Sequence, residues 1–170
     1  VILIAASGND AWRGAMRFPA CLPEVVSVGA VYDYTSSQPE RTEVCEGYPV
    51  VDGITCYSDR ASFLDLLAPG SIISVPHVVS GGGTSAAAPH VAGVTALLLE
   101  VDPDLTGPEL VDLLRETGVQ IAPPRDEISF GLTFPRVDAL AAVQRLIAQS
   151  KKAEITLQEA WLAPETVMPG

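Results

Sequence analysis

The feature that most constrains this chain is the run SAAAPHVAGVTALLLEV at 85–101, which follows three glycines at 81–83. Placed on a helix, its small and apolar residues fall on nearly every face, and Pro89 comes early, where proline is best tolerated. Such a helix has too little polar surface to face water and must be buried. The rest of the chain therefore has to supply its cover.

Candidates for that cover are short apolar runs of β-branched character. VILIAA at 1–6 reads as a parallel strand buried on both faces, ended by the turn formers Ser7, Gly8, Asn9 and Asp10. VVSVGAV at 25–31 repeats the pattern, and SFLDLLAPG at 62–70 followed by SIISV at 71–75 supplies another strand, punctuated by Pro69 and Gly70. Residues 32–60 between them are polar and turn-rich, and are expected to form a surface excursion, the least structured part. A second helix is expected from Thr106, where Thr106 and Glu109 have capping-box spacing, with Leu110, Leu113 and Leu114 as its apolar stripe and Gly118 as its stop. A third follows Pro135, with Val137, Leu140, Ala141 and Ile147 on one face. Strands followed by crossover helices imply an α/β layer fold. We expect one domain unit over 1–150 and a tail of uncertain structure over 151–170.

Charge and composition remove several classes of function. Ten Lys and Arg against 21 Asp and Glu leave a net charge of -11, which repels phosphate backbones and anionic lipid, so neither nucleic acid nor a membrane surface is an expected partner. The longest mostly apolar runs, 1–6 and 94–101, fall short of the roughly 20 residues a membrane span needs. Cysteines at 21, 45 and 56 have no zinc spacing, so no metal centre is expected. Cys45 and Cys56 flank EGYPVVDGIT, whose Gly and Pro can bring the two α-carbons within bridging range; the readings are a disulfide, which we favour, or two buried thiols. Cys21 is left as a buried thiol or bonded outside the chain.

GGGTSAAAPHVAG at 81–93 sets Ser85 between a glycine-rich loop and a helix. Taken alone, a serine there is an N-cap. A hydroxyl at a helix N-terminus is also well placed for attack, since unsatisfied N–H groups and the positive end of the dipole favour charge developing on a reacting oxygen. The wording GTSAAAPHVAG decides between them, because it resembles the G-T-S-x-A-x-P-H-V-A-G signature of the subtilisin-like serine peptidases (subtilases) at every fixed position. The resemblance implies that Ser85 is the nucleophile, attacking a peptide carbonyl after a histidine base takes its proton, and that Pro89 and His90 are structural. Five positions along a helix turn His90 about 140 degrees away from Ser85, so it is expected to pack, not to act as base. His77, eight residues before Ser85, reads as a surface or loop residue.

AASGND at 5–10 is similar to the subtilase strand end that carries the oxyanion donor. By itself Asn9 is an ordinary turn residue. Through the resemblance it becomes the side chain whose NH2 donates to the oxyanion of the tetrahedral intermediate, beside the backbone N–H of Ser85. The family also implies substrate contacts at Ala6, Ser7, Gly8, Gly83 and Thr84. Asp10, at the rim, is expected to favour Lys or Arg in the substrate modestly.

The resemblance covers essentially 1–147 and implies a three-layer subtilisin-like fold with a mainly parallel sheet, of which this is the C-terminal part. In the family's order the aspartate and histidine come before the serine. Neither motif occurs in these 170 residues, and Val1 falls inside an apolar run. The chain is therefore read as a piece of a serine endopeptidase whose partners are a polypeptide substrate and the N-terminal part of the same domain. It is expected to be inactive alone, with an unpaired first strand and a partly bare central helix. The competing reading is a non-catalytic subtilase remnant that binds or docks. The chemistry needs no cofactor; structural calcium is compatible, with no residue set singled out for it. Family habit and the cysteine pair suggest secretion or a periplasmic location.

Overall fold

The computed structural model describes residues 1–73, 81–123 and 132–162, with the helical backbone alone over 151–162. VILIAA forms β1 (Leu3–Ala6) and VVSVGAV forms β2 (Val25–Val31). A small antiparallel pair follows, β3 (Glu40–Arg41) with β4 (Glu46–Gly47), and then β5 (Leu66–Pro69). The chain continues through α1 (Thr84–Val101), α2 (Gly107–Thr117), β6 (Val119–Ile121), β7 (Phe134–Arg136) and α3 (Ala139–Leu162).

Five strands share one sheet in the order β1-β2-β5-β7-β6. The pairs β1–β2, β2–β5 and β5–β7 are parallel and only β6–β7 is antiparallel; of the parallel connections only β5 to β7 runs through helices, α1 and α2, while those after β1 and β2 are irregular or carry the small β3–β4 pair. Strand alternation sorts the core onto two faces. Val26, Val28 and Ala30 of β2 with Leu66 and Ala68 of β5 face a cluster that includes Ala87, Val91 and Leu98 of α1, Leu110 and Leu114 of α2, and Ala142 and Leu146 of α3. All three helices thus cover one face. The other carries Val31, Leu67 and Phe134, covered by Met16, Ile54, Ala61 and Leu64 from irregular segments.

Several sequence expectations change here. The 32–60 excursion is not all surface: Ile54, Thr55, Tyr57, Ser58, Asp59 and Arg60 are buried. Their backbone finds partners on β2, with the Thr55 N–H on Ala30 O at 3.0 Å, while Ser58 Oγ accepts the Ala30 N–H at 3.0 Å. Cys45 and Cys56 do form a disulfide, which ties the small hairpin to this buried stretch, and Cys21 is a free and exposed thiol. Past Pro69 there is no continued strand in the described part of 71–75, only a bridge from Ile73 to Gly81. On α3 the inward residues are Ala142 and Leu146, while Leu140 and Ile147 are exposed. The helix also continues across residue 150 to Leu162.

α1 is the element that matters most for function. By length and apolarity it would pass for a membrane span, but it packs as a core helix against β1, β2, β5 and α3. Its inward line is Thr84, Ala87, Val91, Thr95 and Leu98. Among the described residues nothing covers the other side, where Leu97 and Val101 are exposed, and β1 has one strand neighbour and an exposed Leu3.

Candidate active site

The site lies where parallel strands deliver their carboxyl ends, the usual place for ligands in open α/β sheets. β1 delivers the turn Ser7–Asp10, and β5 delivers Gly70, whose carbonyl accepts the Gly83 N–H at 2.6 Å and the Tyr57 hydroxyl at 3.0 Å. Those two bonds fix the loop end from which α1 starts.

The N-cap of α1 is Gly83, with φ 120° and ψ 167°, which has no side chain of its own to cap the helix. Ser85 is therefore not an N-cap; it is the second helical residue, exposed in the first turn. At Gly83 an L side chain is disfavoured twice, by the strain of the positive φ and because a Cβ would crowd Asn9 Nδ2 at 3.1 Å. With α1 starting at Thr84, Pro89 falls in the second turn, not the first, and cannot donate to the Ser85 carbonyl.

Asn9 is clasped to the same helix start. Its Oδ1 accepts the Thr84 N–H at 2.9 Å and the Thr84 hydroxyl at 3.0 Å, and the Gly8 N–H donates to Thr84 Oγ1 at 3.2 Å. A backbone N–H can only donate, so the amide must turn its oxygen to Thr84. The NH2 is left beside Gly83, at the end of the helix where negative charge is favoured. A carboxamide held in this way can donate to an anion without reorganising.

Behind Asn9 sits a buried carboxylate. Asp59 donates its N–H to Gly8 O at 2.9 Å, and its Oδ1 accepts the N–H groups of Asp10 at 2.9 Å and Trp12 at 2.7 Å. The turn that carries Asn9 is thus closed on both sides by one residue. Oδ2 has no hydrogen-bond partner, and burial pushes the carboxyl above its ordinary pKa. Gly8, at φ 117°, is forced by this arrangement, since a Cβ there would come within 2.1 Å of Asp59 Oδ2.

The expected substrate contacts divide. Ser7 is buried, its N–H on Val28 O and its carbonyl accepting from Arg17 N–H, so it and Gly8 present a wall whose backbone polar groups are already used, while the Ser7 hydroxyl is buried without a partner. Asp10 is not an open rim carboxylate. Arg17 grips it with Nε and Nη2, both at 2.7 Å, and this hydrogen-bonded pair holds the Asp10 pKa below the ordinary carboxylate value. The expected pull on a substrate Lys or Arg is cancelled by that pair. His90 is exposed on the outer side of α1, its Nδ1 2.8 Å from Ala86 O one turn back, and among the described residues it is not buried as a packing residue. His77 lies outside the described residues.

Among the described residues no three His, Cys, Asp or Glu side chains gather to hold a metal ion. What gathers is an exposed serine, an oriented carboxamide and a helix N-terminus. The sequence matches the model of the Subtilase family (Peptidase_S8) over residues 1–143. The chain belongs to the subtilase family. This subtilase is 32% identical over 130 residues to subtilisin E of Bacillus subtilis (strain 168), covering 71% of itself and 29% of that protein. It matches a subtilisin of Bacillus pumilus at the same identity and spans 40% of it. Its fold is similar to the solved structure of the prenylagaramide maturation protease PagA, with TM-score 0.62 and 28% identity over 86% of this chain and 50% of that one. A cold adapted subtilisin-like serine proteinase gives TM-score 0.60 and 29% identity, over 79% of this chain and 43% of that one. The chain thus spans well under two thirds of each of these relatives.

Two residues of this candidate site escaped the sequence reading. Asp59 lies 49 positions from Asp10 and had no motif; its signal was a lone carboxylate in YSDRASFL, a stretch otherwise fit for burial. Arg17 lies seven positions from Asp10, in a segment with no regular period.

Proposed function

We propose that this chain carries the nucleophilic half of a serine endopeptidase site, with Ser85 as nucleophile and Asn9 as oxyanion donor, completed by an Asp and a His from polypeptide outside these 170 residues. Ser85 Oγ attacks the peptide carbonyl as the histidine takes its proton. The carbonyl oxygen becomes an oxyanion that accepts from Asn9 Nδ2 and the Ser85 N–H. Collapse expels the amine, which leaves with the proton from the histidine, and water then releases the acyl group by the same steps. The observation that carries this reading is the locking of Asn9 Oδ1 by Thr84 N–H and Oγ1, one residue from Ser85. A residue that merely filled a turn would not need its amide oriented.

The bare side of α1 and the open edge of β1 support the need for a second segment, which would extend the sheet and bring the base to Ser85. The disulfide supports an oxidising compartment, secreted or periplasmic. The test is peptide hydrolysis by the chain combined with its upstream segment. Ser85→Ala abolishes turnover, and Asn9→Ala lowers kcat by about two to three orders of magnitude with little change in KM, a size known from removing such a donor in a member of this family. Full activity in Asn9→Ala, or none in the combined protein, contradicts the reading; the latter favours a non-catalytic docking domain.

A further inference from the structure

Resting on that peptidase reading, we propose that Arg17 determines specificity by filling the pocket for the residue that precedes the scissile bond, so that only a small side chain is accepted there.

Covalent geometry limits where that pocket can be. The side chain in question starts one carbon from the carbonyl whose oxygen faces Asn9, so the residues that flank Asn9 lie within its reach. On one side these are Ser7 and Gly8, whose N–H and carbonyl groups are all engaged within the protein. With the Ser7 hydroxyl buried as well, they offer a stiff wall with shape and no exposed polar handle.

Arg17 lies across that wall. Its Cγ is 2.6 Å from where a Cβ on Gly8 would be, so the aliphatic stem rests on the face that Gly8 leaves open. Its backbone is tied to the wall by the N–H bond to Ser7 O at 2.8 Å. Its head makes the two 2.7 Å bonds to Asp10, on the other side of Asn9. Its guanidinium carbon is 4.8 Å from the Trp12 ring centre. A long side chain that would otherwise sample many rotamers is held at its root, stem, head and face, and it bridges the two residues next to Asn9.

The consequence differs by substrate class. An Ala, Ser or Gly side chain passes without moving Arg17. A Phe, Leu or Lys side chain needs the volume of the stem and must displace the Asp10 pair and the Trp12 contact together. Because the Arg17 side chain is 55% exposed, water softens that cost, and the expected discrimination is tens-fold, in the range pockets achieve by shape, and not absolute. Lys gains nothing from Asp10, whose charge Arg17 already answers.

The experiment measures kcat/KM of the chain combined with its upstream segment on peptides that differ only at this residue, as Ala, Phe, Lys or Glu. The unmodified protein should cleave the Ala peptide at least tenfold better than the Phe and Lys peptides. Arg17→Gly should raise the Phe to Ala ratio at least tenfold. Asp10→Ala, which keeps the stem but frees the guanidinium, should leave Phe poor and raise the Glu to Ala ratio at least tenfold. Equal cleavage of Ala and Phe by the unmodified protein, or unchanged ratios in both variants while Ser85 still takes a fluorophosphonate, overturns the role of Arg17 alone. No cleavage of any peptide and no label on Ser85 overturns the peptidase reading, and this inference with it.

Discussion

Single residues set the chemistry, and they were not equally visible. Ser85 and Asn9 stood out because the wording around each resembles a subtilase motif; their places at local boundaries, a glycine loop into a helix and a strand into a turn, would alone read as a cap and a turn residue. The clasp between Asn9 and Thr84 joins residues 75 apart, and nothing local announces it. Asp59 is the same case, and it makes a prediction at this scale. Burial raises its folded pKa above the unfolded value of about 3.9, so it stabilises the fold in its protonated form. That contribution is present below about pH 3.9 and is lost as pH rises through the raised folded value. Asp59→Asn removes the titration while keeping an oxygen for the Asp10 and Trp12 N–H groups. In urea unfolding, the stability of Asp59→Asn relative to the parent should therefore increase from pH 4 towards pH 7; a decrease over that window contradicts the assignment.

Elements were legible where one strong signal set them. The start of α2 is an example: the Glu109 carboxylate accepts from both the Thr106 N–H at 2.9 Å and its hydroxyl at 2.6 Å, and Leu110, Leu113 and Leu114 point inward as the stripe required. Thr106→Ala should lower unfolding stability by about 1 kcal/mol, read from the urea midpoint at constant slope, and no shift would show that the cap is idle. Glu109 works in the opposite sense to Asp59. Its bonds to Thr106 lower the folded pKa, so its contribution is present above the unfolded value of about 4.3 and is lost as pH falls through the folded one. The inward face of α3 was misjudged because adjacent apolar stripes compete, and only the tertiary neighbours choose Ala142 and Leu146 over Leu140 and Ile147. The 54–60 segment was taken as surface for its polar residues, yet those residues are buried as hydrogen-bond partners for β2 and for the Asn9 turn.

At the scale of the whole molecule the account turns on what lies bare. α1 is apolar on both sides but covered on one, and β1 leaves one edge open with Leu3 and Leu97 each 55% exposed. An exposed apolar face next to a free strand edge drives association. Sedimentation of the isolated chain should show self-association that rises with concentration and falls in Leu97→Lys; a monodisperse monomer at high concentration would mean that this face is adequately hydrated. That surface was legible in outline, since a helix so apolar demanded cover on all sides and these residues supply it on one. If Ser85 has its oxyanion donor here and its base elsewhere, fluorophosphonate labelling of Ser85 must depend on the upstream polypeptide. The isolated chain should take little or no label, and the chain combined with that polypeptide should label rapidly, the label being lost in Ser85→Ala. Rapid labelling of the isolated chain, or none in the combination, would show that Ser85 does not work with a base from elsewhere.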